Sequence, residues 1–153
     1  MGHRNCRRPR KFYWEQVEEI RSLLVKYVKS SRQIDVDKYL LLCEQLGQEP
    51  DPKKMPLDPS DFPAEVQVAF FISGLLEDRW DGMSGTYMGK DWSNLEYFFN
   101  LYEIEEPKVI LYIMKIYENV VVSDRQDEAE RKRKAEERKS AGGGKNFTHN
   151  VKG

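Results

Sequence analysis

At 153 residues, 39% hydrophobic and 33% charged, the chain has material for one hydrophobic core plus tails, not for two domains. No run approaches the roughly 18 apolar residues of a membrane span, and the basic start lacks the apolar segment of a secretory leader, so a cytosolic protein without membrane contact is expected. The net charge of −1 hides a division: residues 1–11 carry five basic groups and no acid, 12–122 eleven basic against twenty acidic, and 123–153 nine basic against six acidic.

Residues 1–11 read as a basic flexible arm holding Arg4, Arg7, Arg8, Arg10 and Lys11. A helical domain is expected over 12–122, with a helical hairpin at 12–47, a connector at 48–61 and a core at 62–122. In its first segment Tyr13, Val17, Ile20, Leu24 and Tyr27 recur at spacings of four and three, the stripe of an amphipathic helix. Glu15, Glu18 and Glu19 precede Lys26 and Lys29, which complements the helix dipole. This stripe is also the candidate seam for homo-oligomerisation.

The second segment, Val36 to Leu46, has Asp35 as N-cap and Gly47 as C′ residue. Tyr39, Leu40, Leu42, Cys43 and Leu46 form its apolar face, with Cys43 a small buried hydrophobe. A Cys6–Cys43 disulfide is not expected in a cytosolic chain. Five of the seven prolines follow, at 50, 52, 56, 59 and 63. Each fixes φ and removes an N–H, so the stretch is an extended connector.

The third helix should start near Asp61 with Pro63 in its first turn. Val66, Val68, Ala69, Phe70, Phe71, Ile72, Leu75 and Leu76 are apolar almost all round, which marks a central, buried helix. Residues 77–92 read as a loop in which Gly82, Gly85 and Gly89 permit turns while Trp80, Tyr87 and Trp92 pin it to the core. The alternative is a partner-binding surface, because exposed Trp, Tyr and Met are the residue types that dominate interfaces. Ser93 and Glu96 form an S-x-x-E capping box for the fourth helix. Pro107 opens the fifth, which runs to about Val122; β-branched residues make strands at 109–113 or 119–122 the competing assignment. From Asp124 to Lys139 thirteen of sixteen residues are charged, and the expectation over 123–139 is a charged helix held by i,i+4 pairs. Residues 140–153 read as a flexible tail. The fold class is therefore mainly α: a compact five-helix domain with a Pro-rich connector and a long charged C-terminal helix.

Catalytic patterns are sparse. A phosphate-binding loop needs G-x-x-x-x-G-K-[ST] after a strand, whereas Gly85 to Gly89 encloses three residues and Asp91 stands where the hydroxyl belongs. The acids of 77–91 lack the alternation of a calcium loop. Both histidines, His3 and His149, fall in the tails, so no nucleophile has a nearby imidazole base. Enzymatic work would require a cleft gathering Asp78, Asp81, Lys90 and Asp91. No enzyme activity, cofactor or metal site is expected. The binding candidates are Trp80, Met83, Tyr87, Met88 and Trp92 in the loop, and Arg131, Lys132, Arg133 and Lys134 in the charged helix. Weak nucleic-acid contact is assigned to Arg4, Arg7, Arg8, Arg10 and Lys11.

Two stretches, Phe12-Tyr13-Trp14 with Asp35 to Gly47 and Phe62 to Trp92 with its Arg-Trp-Asp-Gly-Met-Ser-Gly-Thr-Tyr-Met-Gly-Lys-Asp-Trp run, resemble short proteins of tailed phages, particularly those of marine bacteria. Lys-Ala-Glu-Glu-Arg-Lys before Gly-Gly-Gly-Lys-Asn fits the same resemblance. It implies a non-enzymatic tail-assembly chaperone or minor structural protein, in the host cytoplasm or the virion, whose partners are tape-measure, tube or baseplate proteins. No functional residue transfers with it. The alternative function is a nucleic-acid-associated helper, such as a small packaging subunit or transcription modulator, using its basic N-terminal arm.

Overall fold

The computed structural model describes residues 14–31 and 34–142. Its elements are α1 (Val17–Ser31), α2 (Val36–Gln45), α3 (Ala64–Leu75), β1 (Asp78–Trp80), β2 (Tyr87–Lys90), α4 (Leu95–Leu101) and α5 (Pro107–Gly142), with 3-10 turns at Trp14–Gln16 and Pro59–Asp61. The protein is mainly α-helical with a long charged C-terminal helix. The 1–11 arm, Tyr13 of the first stripe, both histidines and the tail beyond Gly142 lie outside the described residues.

One core joins α1, α3, α4 and α5. Ile20 and Leu24 from α1 meet Val66, Ala69 and Ile72 from α3, Leu95 from α4, and Ile110, Ile113, Met114 and Ile116 from α5. Phe62, just after the Pro59–Asp61 turn, plugs this core edge-on to Tyr27 and Phe70 at 5.5 and 5.2 Å. The first stripe is therefore consumed inside the molecule. Val17, Ile20, Leu24 and Tyr27 face α3 and α5, which removes them as an oligomer seam. α1 therefore belongs to the main core.

Local signals in the second segment hold. The Asp35 carboxylate accepts from the Lys38 N–H at 2.8 Å, and Gly47 takes φ +64° after the helix, where glycine has no Cβ penalty. Its apolar face does not hold. Only Cys43 is buried, as a free thiol, while Leu40, Leu41, Leu42 and Leu46 stay exposed.

Capping differs from expectation twice. Asp58 and Asp61 form a reciprocal capping box on the Pro59–Asp61 turn, so α3 starts after Pro63 rather than near Asp61. Ahead of α4 the acceptor is Asp91, whose carboxylate takes the Ser93 N–H at 2.9 Å and hydroxyl at 2.6 Å. That engages Ser93 and displaces the Ser93–Glu96 box; Asn94 becomes the N-cap residue with no side-chain cap bond. The β-branched stretches of 109–122 are helical throughout, because the helical period places Ile110, Ile113, Met114 and Ile116 on the core side.

Candidate functional site

Residues 77–92 are a two-stranded antiparallel hairpin rather than a loop. Its closing bond runs from the Asp91 N–H to the Glu77 carbonyl at 2.8 Å. Between Arg79 and Trp80 the register slips, so that Arg79 opposes Gly89 and Trp80 opposes Tyr87. Met88 is the extra residue of this bulge and points outward. At the tip the Asp81 carboxylate accepts from the Met83 N–H at 2.8 Å, and Gly85 turns the chain at φ +65°. Gly82 needs no such conformation; its backbone φ is not positive.

Glu118 of α5 anchors the hairpin. Its Oε1 accepts from the Lys90 backbone N–H at 2.7 Å and from Trp92 Nε1 at 2.8 Å. Its Oε2 lies 3.4 Å from Lys115 Nζ, whose ammonium also sits 3.9 Å from the Trp92 ring centroid. The carboxylate is nearly enclosed, and a Cβ at position 89 would stand 2.6 Å from Glu118 Oε1. Gly89, at φ +95°, is thus required both by the bulge and by the approach of the acid.

A second brace lies close by, around Asp78. Asp78 Oδ1 accepts from Tyr87 OH at 2.8 Å and pairs with Lys90 Nζ at 2.9 Å. Lys90 Nζ also donates to the Leu76 carbonyl at the end of α3, 3.0 Å away, where a cation suits the helix terminus. Arg125 of α5 lies 4.0 Å from the Tyr87 ring and 5.5 Å from the Trp80 ring, the distances of cation–π contacts. Burial raises the Asp78 carboxyl, but Lys90, Tyr87 and Arg125 outweigh it and hold it below the usual carboxylate range. Burial first, then the bond to Asp78, pushes the Tyr87 phenol up.

These braces divide the five candidate loop residues. Tyr87 is buried and Trp92 half-buried, as pins of the hairpin. Trp80 stands 56% exposed, Met88 53% and Met83 99%. Trp80 touches Tyr87 edge-on at 5.0 Å yet leaves most of its indole in solvent. A groove of about 370 Å³ runs between Trp80, Gly85 and Thr86 of the hairpin and Arg125, Glu128 and Lys132 of α5. Lys132 is the one member of the 131–134 cluster that reaches it. Lys132 and Lys134 pair with Glu128 and Glu130 at 2.8 and 2.6 Å, and Arg133 lies 3.7 Å from Glu137, so much of the cluster's charge is answered within the helix.

The proposed catalytic gathering does not form. Asp78 and Lys90 meet, but Asp81 caps the hairpin tip and Asp91 the start of α4, each held by its own turn. Among the described residues no three His, Cys, Asp or Glu side chains stand close enough to hold a metal ion, and no helix is long and apolar enough to cross a membrane. Arg4, Arg7, Arg8, Arg10 and Lys11 lie outside the described residues. Sequence reasoning missed Glu118 and Arg125. Glu118 carried a signal, since it is the lone acid within the apolar period of 109–122.

Comparison of the chain with protein-family models, curated proteins and solved structures finds no match.

Proposed function

We propose that the chain is a non-enzymatic binding protein of phage tail assembly, working in the host cytoplasm, that holds another virion protein through its hairpin. The observation carrying this reading is Trp80 and Met83 exposed on a rigid mount. Glu118, Asp78 and Arg125 already fix the strands, so a partner would meet large apolar side chains whose backbone entropy is already spent. Exposed Trp and Met of this kind are interface residue types rather than ordinary surface. The partner class comes from the resemblance to small tailed-phage proteins; the geometry supports a protein partner over a small substrate because the groove is open and the acids are not convergent.

The test is co-expression with tape-measure, tube and baseplate proteins of the same phage. A stable complex with one of them is expected, weakened at least about tenfold by the pair Trp80→Ala and Met83→Ala. Failure of the wild-type chain to bind any tail protein would refute the reading.

A further inference from the structure

Among the described residues little covers α2, which makes it a second exposed apolar surface. Leu40, Leu41 and Leu42 are consecutive, so at about 100° per residue they wrap more than half of the helix. All three are exposed, with Leu41 at 53%, and Leu46, one turn beyond Leu42, reaches 61%. Met55 of the connector is exposed as well. Only Cys43 is buried along α2. Its cross-connection is polar: the Tyr39 hydroxyl accepts from the Asp51 N–H at 3.1 Å, which ties the helix to its own connector. An isolated helix of ten residues is too short to persist on propensity alone, and this one spends little of its apolar surface inside the molecule.

The sequence around these leucines is acidic. Residues 35–61 carry Asp35, Asp37, Glu44, Glu49, Asp51, Asp58 and Asp61 against Lys38, Lys53 and Lys54. Two copies docked through this face would place like charge against like, which is costly at an interface. A basic partner gains both ways, burying apolar surface while its cations meet the acids.

We infer that α2 and the 48–61 connector form a docking site for a basic amphipathic helix of another protein, with Leu42 and Leu46 as anchors. The site is separate from the hairpin and stands whether or not the hairpin reading does. Apolar anchors at helical spacing would set the register of such a helix, and flanking charge the choice of partner.

The probe is a synthetic peptide of about 18 residues, with leucines at i, i+3, i+4 and i+7 and lysines on the flanks. It is titrated by fluorescence anisotropy into the full chain. Saturable binding is expected, at least about tenfold weaker for the same peptide with glutamate in place of lysine. Leu42→Ser with Leu46→Ser should cost at least about tenfold, Leu41→Ser a smaller factor, and Leu101→Ser, an exposed leucine on α4, nothing. Far-UV circular dichroism checks that each variant folds. Absence of binding, equal binding of the acidic peptide, or an equal loss in Leu101→Ser overturns the inference. So does a wild-type dimer that Leu42→Ser with Leu46→Ser dissociates, since the occupant would then be a second copy.

Discussion

Glu118 is the residue on which the hairpin's position turns. Its Oε1 satisfies two donors at once, and buried donors left without an acceptor cost more than an average hydrogen bond is worth. Glu118→Ala should therefore cost about 3 kcal/mol, a fall in Tm of about 10 °C. Gly89→Ala should cost about 2 kcal/mol through its positive φ and the 2.6 Å approach to that carboxylate. The two changes share a contact, so the double variant should be less destabilised than the sum, by about 1 kcal/mol. Strict additivity in thermal melts would show that the acid and the glycine do not meet. Asp78 gives a pH prediction. Unfolded, it titrates at about 3.9; folded, its value is lower. Its contribution is complete above the unfolded value and is lost as pH falls through the folded one. Asp78→Asn should be less stable than wild type at neutral pH, with the gap narrowing below about pH 4. A gap that stays constant into acid would remove the carboxylate's charge as the cause. In the sequence, Asp78 and Lys90 stood out as charged, but only the strand register brings them together.

At the scale of elements, what the sequence declared was local. Asp35, Gly47 and Pro107 marked helix ends because capping and proline chemistry act within a few residues. The core positions Ile20 and Leu24 followed from helical periodicity, and Val66 and Ile72 from a helix apolar almost all round. The hairpin was not legible. Three strand residues facing four, broken by a bulge, give no alternation long enough to read, and the glycines suggested a loop instead. The α2 face misled for another reason: apolar residues announce that a helix will be buried, not whether its cover is in the same chain. The last turns of α5 carry a different prediction. Residues 129–141 are exposed throughout and depend on pairs such as Glu130–Lys134, which contribute little in a solvent-exposed helix. A proline in a helix interior costs about 3 kcal/mol. Ala135→Pro should nevertheless shift Tm by less than about 2 °C while lowering the helical signal at 222 nm, because that end lacks burial in the core. A large drop in Tm would mean that the body leans on the distal helix.

On the scale of the whole molecule, stability and binding surface are separated. The buried side chains concentrate where α1, α3 and α5 meet, and the hairpin is locked onto α5 by charged hydrogen bonds. α2 buries only Cys43 and is tied to its own connector by the Tyr39–Asp51 bonds, while Leu57 of the connector packs against the core. Regions with few buried apolar contacts open at low free energy, whereas core helices exchange only by global unfolding. Hydrogen exchange should therefore show three classes. Amides of 110–117 and 66–73 should be slowest, those of 87–90 intermediate, and those of 39–46 fast, although α2 is as regular a helix as α3. Adding the basic amphipathic peptide should then slow 39–46 and leave 87–90 unchanged, because a ligand protects the segment whose folded form it binds. Protection of α2 equal to that of α3 without peptide would mean that the body already holds it closed. Slowing confined to 87–90 would instead place the peptide on the hairpin, making that the charged-helix receptor and leaving the leucines of α2 without one.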